Sequence, residues 1–235
     1  MKKQTKVIGL LLCAVLLVAG AVMGTLAYLT SDDTVTNTFS VGSVGISMDE
    51  ADVNEAGQLL DNEGDVYEDG AQLASRVDGN AYHLLPGHYY VKDPTIHIDD
   101  DSEEAYLYVK LVIEDNADLV ATLEKYDLSA ELNDLLDDLD ADDWICMDSD
   151  EADDGTRTYL LVYHETIDGK TANITLFTGF TVPEEFKNED LESILDLNMM
   201  ITAYAVQADG FGKTTDTFVE KATDAWGSTF GKSTP

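Results

Sequence analysis

The chain opens with its longest apolar run, which covers residues 7–23 and follows three lysines within the first six residues. A basic start followed by an apolar stretch of this length is typical of a secretory signal peptide. Thr25 and Ala27 supply small residues at the −3 and −1 positions of a cleavage site, so the mature chain is predicted to begin at Tyr28. An uncleaved N-terminal anchor is the alternative, because the run could nearly span a bilayer. We expect residues 1–27 to be a signal peptide, with no stable membrane anchor left after cleavage.

Soon after this apolar run, side chains begin to alternate between two faces, as they do along a β-strand. One face of the predicted extended segment is formed by Val35, Asn37, Phe39 and Val41. After Gly42 and Ser43 the phase shifts by one residue, which predicts a bulge or a break, because a slip of one residue moves side chains to the other face. We therefore treat residues 28–48 as an N-terminal extended segment.

Alternating patterns recur along the rest of the chain, and turn-forming residues separate them. The clearest lies at 105–113, where five apolar residues share one face. Further strands are predicted at 94–99, 144–147, 156–167, 171–180 and 197–207. The acidic stretch 49–81, rich in Gly and Asn, is predicted to be a loop.

Residues 116–140 change to a helical period, which predicts two helices, the second beginning near Ser129. A further short helix is predicted to start at 182–185, where Pro183 precedes two glutamates. Together these patterns predict about seven to nine strands with helices inserted between them. Because turns connect most of these strands, the pairing is predicted to be mostly antiparallel. This pattern predicts a mainly β fold, an antiparallel β-sandwich, as a single domain over residues 49–235.

The charge of the chain limits the partners it can have. There are 47 acidic residues against 13 basic ones, a formal net charge of −34, and cleavage would remove three of the lysines. Phosphate backbones repel such a surface, so nucleic acid is not expected as a partner. A disordered polyacid is the alternative, but 44% hydrophobic residues and 11 tyrosines argue for a packed core. We expect a soluble, extracellular protein.

No motif for catalysis or for a cofactor emerges from the sequence. The nearest approach to the H-E-x-x-H zinc signature is His164-Glu165, which lacks the second histidine. Neither a nucleophile elbow nor a phosphate-binding loop occurs. The acidic stretch 148–155 does not have the ligand order of an EF-hand, so weak Ca²⁺ binding stays open beside the alternative of solvated loops. The chain is predicted not to be an enzyme.

Two cysteines are present, and only one belongs to the predicted mature chain. Cys13 lies in the apolar run, and Cys146 lies beside Trp144 and Ile145 in a predicted strand. An intramolecular disulfide is therefore not expected, and we predict that Cys146 is a small buried apolar residue.

Several of these features together resemble one known family. The N-terminal positions concerned are Gly24, Thr25, Ala27, Tyr28, Ser31, Asp32, Asp33, Thr38, Phe39 and Gly42. Further positions are the segments 85–87, 92–94, 105–110 and 203–207, with Trp226. These residues resemble the TasA/camelysin family of Gram-positive bacteria, whose members are exported with a SipW-type signal peptidase.

The resemblance implies a jelly-roll β-sandwich with helices between strands. It also implies a structural role, as a subunit of extracellular fibres in the biofilm matrix. Subunits would assemble head-to-tail as a homopolymer, each adding its N-terminal segment as a strand to the next. Val35, Phe39 and Val41 would then enter the groove of the partner, although the same strand could instead pair within its own subunit.

Two other functions stay open at this point. The name camelysin carries a metallopeptidase label, which no zinc motif in this chain supports. A monomeric surface adhesin with a sandwich fold is the other alternative.

Overall fold

The computed structural model describes residues 43–194 and 197–231. Its strands are β1 (Ile46–Asp49), β2 (Tyr89–Val91), β3 (Thr95–Ile98), β4 (Ala105–Glu114), β5 (Trp144–Glu151), β6 (Arg157–Tyr163), β7 (Ile174–Thr175), β8 (Gly179–Thr181) and β9 (Asn198–Gln207). Its helices are α1 (Asn116–Glu124), α2 (Leu132–Leu135), α3 (Asn188–Ser193) and α4 (Phe218–Phe230). The strand pairs are antiparallel. The predicted fold class is confirmed: the chain is mainly β, with antiparallel sheets compatible with a β-sandwich.

The larger sheet has four strands in the order β5-β6-β4-β9. Strand β4 is central because both of its faces are apolar, and alternate residues of a strand point to opposite faces. Leu107, Val109 and Leu111 enter the main core, whereas Tyr106 and Tyr108 lie on the outer face. The alternation at 105–113 therefore marks a strand that is covered on both sides.

The second sheet has the order β1-β3-β7, and β2 pairs with β8 beside it. Backbone hydrogen bonds continue between the two parts, because the Leu176 N–H donates to the Pro94 carbonyl (2.9 Å) and the Lys92 N–H donates to the Thr178 carbonyl (3.2 Å). Pro94 fixes its own φ and has no N–H to donate, which favours an interruption here. The two parts thus form one bent antiparallel ribbon. The main core lies between β1-β3-β7 and the four-stranded sheet.

Helix α4 covers the outer face of the four-stranded sheet and was not predicted. Trp226, which the resemblance associates with a terminal strand, lies in this helix and is buried. The Tyr108 hydroxyl donates to the Ala222 carbonyl (2.7 Å), which fixes the helix on β4. A capping box between Thr217 and Glu220 begins the helix. That signature is visible in the sequence and could have revealed the helix.

Two predicted helices differ from those found. The one expected from Ser129 is reduced to α2, because the backbone becomes extended at Leu136 and then pairs with β8 through Asp137 and Gly179. Residues 183–186 form a turn rather than a helix. Helix α3 begins a few residues later instead.

Asp190 joins α3 to α1. Its side chain is only 5% exposed and accepts hydrogen bonds from the Lys125 ammonium (2.6 Å), the Tyr126 hydroxyl (2.6 Å) and the Lys187 N–H (2.9 Å). The bond from Lys125 first, and then those from Tyr126 and Lys187, lower the pKa of Asp190 from its ordinary 3.8 to about 2. The ionised carboxylate is therefore the form that the fold requires.

Replacing this carboxylate is expected to destabilise the protein in a pH-dependent way. Because the pKa of Asp190 is lowered on folding, its contribution is complete above its ordinary pKa and is lost as the pH falls towards about 2. Asp190→Asn should lower the melting temperature at pH 7, and the difference from wild type should shrink between pH 4 and pH 2. Thermal unfolding would show this, with Glu189→Gln, an exposed neighbour on the same helix, as the matched control. A pH-independent difference would contradict the role given to the charge.

Candidate assembly site

Strand β9 forms one edge of the four-stranded sheet and carries none of the charges, prolines or bulges that protect an edge. Within the described part of the chain it pairs only with β4. Its ten residues include no charged residue, no proline and no glycine. Strand β5, at the opposite edge, carries Asp148, Asp150 and Glu151 and has a register shift after Cys146. Charges and bulges discourage pairing with another chain, so β5 is protected and β9 is not.

Cys146 belongs to this protected edge, and the prediction that it is buried was wrong. The residue is exposed, and its thiol lies 3.5 Å from the Asp148 carbonyl. The sequence pattern of an apolar strand was read correctly, but an edge strand next to a bulge turns one of its residues towards solvent.

Among residues 43–194 and 197–231, no other strand pairs with the outer side of the β9 backbone. Ala105 and Ile167 exchange both of their backbone hydrogen bonds (2.8 Å each), so the polar groups of Ala105 point away from β9. Gln207 lies opposite Ala105, and its own N–H and C=O therefore point outwards. The Ala208 N–H donates to the Glu104 carbonyl (2.8 Å), which fits the same alternation. By this alternation the outward-pointing backbone groups belong to Met199, Ile201, Ala203, Ala205 and Gln207.

The side chains of the same β9 residues point inwards and are only half-buried. Met199, Ile201, Ala203 and Ala205 pack against the main core without being enclosed by it. Across from them, Val44, Ile46 and Met48 are also half-buried against that core. Cα atoms of β1 approach those of β9 within 8 Å, but no backbone pairing joins the two strands. We call this opening, lined by those seven residues, the β1–β9 groove.

Strand β1 is held in place by a polar cluster on the side away from β9. Asp49 accepts hydrogen bonds from Arg76 and lies 2.8 Å from the His97 ring, while Arg76 also binds Asp93 (2.9 Å). Burial raises the pKa of Asp49, but the hydrogen bonds from His97 and Arg76 outweigh it, so that the pKa lies below its ordinary value. The cluster joins loop 49–81 to β1 and β3, and so it holds β1, one side of the groove, in position. Sequence reasoning missed it because its members are far apart along the chain.

The described chain starts at one end of the sandwich. The Glu103 N–H donates to the Ser43 carbonyl (3.1 Å), close to where β9 ends at the Ala208–Glu104 hydrogen bond. Residues 46–48 of the predicted N-terminal segment already belong to β1 and pair with β3. The part left to pair elsewhere therefore ends near Ser43.

The residues predicted for cleavage and assembly lie outside the described residues. They are Thr25, Ala27 and Tyr28 for cleavage, and Val35, Asn37, Phe39 and Val41 for the assembly strand. Nothing in the structure tests those predictions. What the structure adds is the groove, which the sequence did not reveal.

The polar residues considered for metal chemistry are not brought together. Across residues 43–194 and 197–231, no group of three or more His, Cys, Asp or Glu side chains is placed to hold a metal ion. His164 lies 3.5 Å from the Asp143 carboxylate, and His97 lies beside Asp49. In the same part of the chain, no helix is long and apolar enough to cross a membrane.

Comparison of the chain with protein-family models, with curated proteins and with solved structures found no match. The resemblance to the TasA/camelysin family therefore stays a prediction from the residues that carry it.

Proposed function

We propose that this protein is a secreted structural protein, a subunit of extracellular fibres in a biofilm matrix. Each subunit would add the strand around residues 34–41 to the β1–β9 groove of its neighbour. The observation that carries the proposal is the β9 edge, which is ten residues long and uncharged and has no partner on its outer side among the described strands. An edge with free backbone groups is a template for a strand from another chain.

The distribution of charge supports this pairing. Residues 34–48 contain no charged side chain, and neither does β9, although the whole chain has a net charge of −34. Two uncharged strands can approach each other without the repulsion that acts between the remaining surfaces. The acidic surface would then keep subunits apart everywhere except at the groove.

The direction of the added strand distinguishes a neighbour from the same subunit. Ser43 lies at the end of the sandwich where β9 finishes, so a segment folding back on its own β9 would run parallel to it. A segment from a subunit stacked head-to-tail would enter from the other end and run antiparallel. The strand pairs of this fold are antiparallel, and antiparallel pairing is slightly more stable per residue. Head-to-tail contacts do not close, so they produce fibres.

Electron microscopy of two purified proteins tests the proposal. One begins at Tyr28 and the other at Val41, and both are incubated at pH 5 and pH 7. We expect fibres from the first and none from the second, because truncation removes Val35 and Phe39. If neither forms fibres while both are folded and monomeric, the proposal is wrong, and binding of glycans or host proteins becomes the next function to examine.

Assembly is expected to be faster at low pH or with millimolar Ca²⁺. Protonation or cation binding reduces the repulsion between carboxylates of neighbouring subunits. Light scattering by the protein beginning at Tyr28 would measure this at pH 7, at pH 5 and with added Ca²⁺. NaCl at matched ionic strength is the control for simple screening. A flat response across all conditions would count against a role for the acidic surface in assembly.

A further inference from the structure

A cavity of about 660 Å³, lined mainly by apolar residues, lies at the end of the sandwich opposite Ser43. Leu119 and Leu123 of α1, Leu135 of α2 and Ile113 at the end of β4 line it. Its size falls within the range of ligand pockets and far exceeds the space of one water molecule. Well-packed interiors leave few voids of this kind, so the cavity is suited to receive an apolar group.

The cavity and the β1–β9 groove share one lining residue. Met199, at the start of β9, lines both of them. A strand that pairs with β9 therefore passes Met199, and an inward side chain opposite this residue would lie next to the cavity lining. Lys92 also lines the cavity but is paired with Glu50 (2.6 Å), so it offers no free positive charge to an anionic ligand.

We propose that this cavity is the socket for Phe39 of a second copy of the chain. This inference rests on the proposed function, because it assumes that the segment around residues 34–41 adds to β9. In the antiparallel arrangement Phe39 lies opposite Met199, and Asn37 and Val35 follow opposite Ile201 and Ala203. Phe39 is the largest side chain on the inward face of the segment, and strand addition takes its specificity from pockets for alternate side chains.

The dimensions of the chain exclude its own Phe39 as the occupant. Ser43 is fixed beside Glu103, and Phe39 precedes it by four residues, which span at most about 14 Å when extended. Ile113 is the residue of β4 that lines the cavity, and the stretch of β4 from Ala105 to Ile113 measures about 26 Å at the usual rise of a strand. The Phe39 that fills the cavity must therefore come from another subunit.

A double-mutant cycle in the protein beginning at Tyr28 tests the socket. Phe39→Ala removes the ring proposed to enter the cavity, and Leu119→Trp narrows the cavity from the half-buried wall of α1. Each single change should raise the critical concentration for fibres about tenfold or more, as loss of an aromatic anchor requires. The double variant should be no worse than either single one, because both changes remove the same contact. Val120→Trp, on the same helix but outside the cavity lining, should change the critical concentration less than about twofold.

Thermal unfolding of the monomers accompanies each variant. Additive effects of the two changes on the critical concentration would overturn the socket while leaving the fibre proposal intact, provided that wild type forms fibres. If the effects of the two changes are non-additive on the melting temperature of the monomer but additive on the critical concentration, Phe39 contacts the cavity of its own subunit. That result would also overturn the socket proposal. If the wild-type protein forms no fibres, both the proposed function and the socket proposal are wrong.

Discussion

Ala203→Pro is expected to abolish fibre formation while leaving the subunit folded. The N–H of Ala203 points outwards from β9, away from β4, by the alternation that starts at Gln207. Proline has no N–H and its ring occupies the space that an added strand needs, so strand addition loses a hydrogen bond and meets a steric block. Proline is tolerated on edge strands whose N–H faces solvent, so the pairing with β4 should survive. Electron microscopy and thermal unfolding of the same sample would report both effects.

Thr202→Pro is the matched control, one residue away. The N–H of Thr202 points towards Lys110 of β4, so proline here removes a bond within the subunit. The Lys110 carbonyl loses its partner within the sheet and the proline ring crowds β4, so the melting temperature should fall clearly. Fibres from Ala203→Pro at the wild-type critical concentration would show that β9 is not the acceptor edge.

The parts of the fold that could be predicted are those decided by local pattern. The stretch 105–113 alternates over its whole length, and it became β4, the central strand. The change of period at 116 marked α1, which begins at Asn116. In both cases the pattern is dictated by which side is buried, and burial is what periodicity records.

Features that depend on distant contacts could not be predicted from such patterns. The exposure of Cys146 follows from β5 being an edge, and that is a property of sheet order. Helix α4 is anchored by Tyr108, more than a hundred residues away along the chain. The short α2 ends because residue 137 pairs with Gly179, which overrides the helical period of its leucines.

Of the two strands in the proposed assembly site, the sequence predicted only the N-terminal one. The sequence indicated the segment containing Val35 and Phe39, because alternation is a local property. It could not indicate the proposed acceptor, because the sequence of β9 has the pattern of an ordinary strand. Only the half-buried state of residues such as Ile201 and Ile46 reveals that the core is open between two strands far apart in the chain. An incomplete core is a property of the assembled sandwich.

Phe39→Asp is the second change with a large expected effect. Val35, Phe39 and Val41 share the face that would enter the β1–β9 groove, and a carboxylate there would be buried among apolar side chains without a cation. Burial of an unpaired charge costs several kcal/mol, so the critical concentration for fibres should rise by about 100-fold or more. Sedimentation of fibres over a series of protein concentrations would measure this. The melting temperature of the monomer should stay unchanged, because Phe39 would lie outside its own core.

Thr38→Asp introduces the same charge one residue away. It distinguishes the cost of burying a charge in the groove from the cost of greater repulsion between subunits. Because side chains alternate along a strand, residue 38 faces away from the groove whenever residue 39 faces into it. Both variants add one negative charge to a chain that already has −34, so the change in overall repulsion is the same. A large effect of Phe39→Asp with a small one of Thr38→Asp requires that Phe39 be desolvated in the fibre. Equal effects would mean that charge alone blocks assembly, and the added strand would then not bury this face.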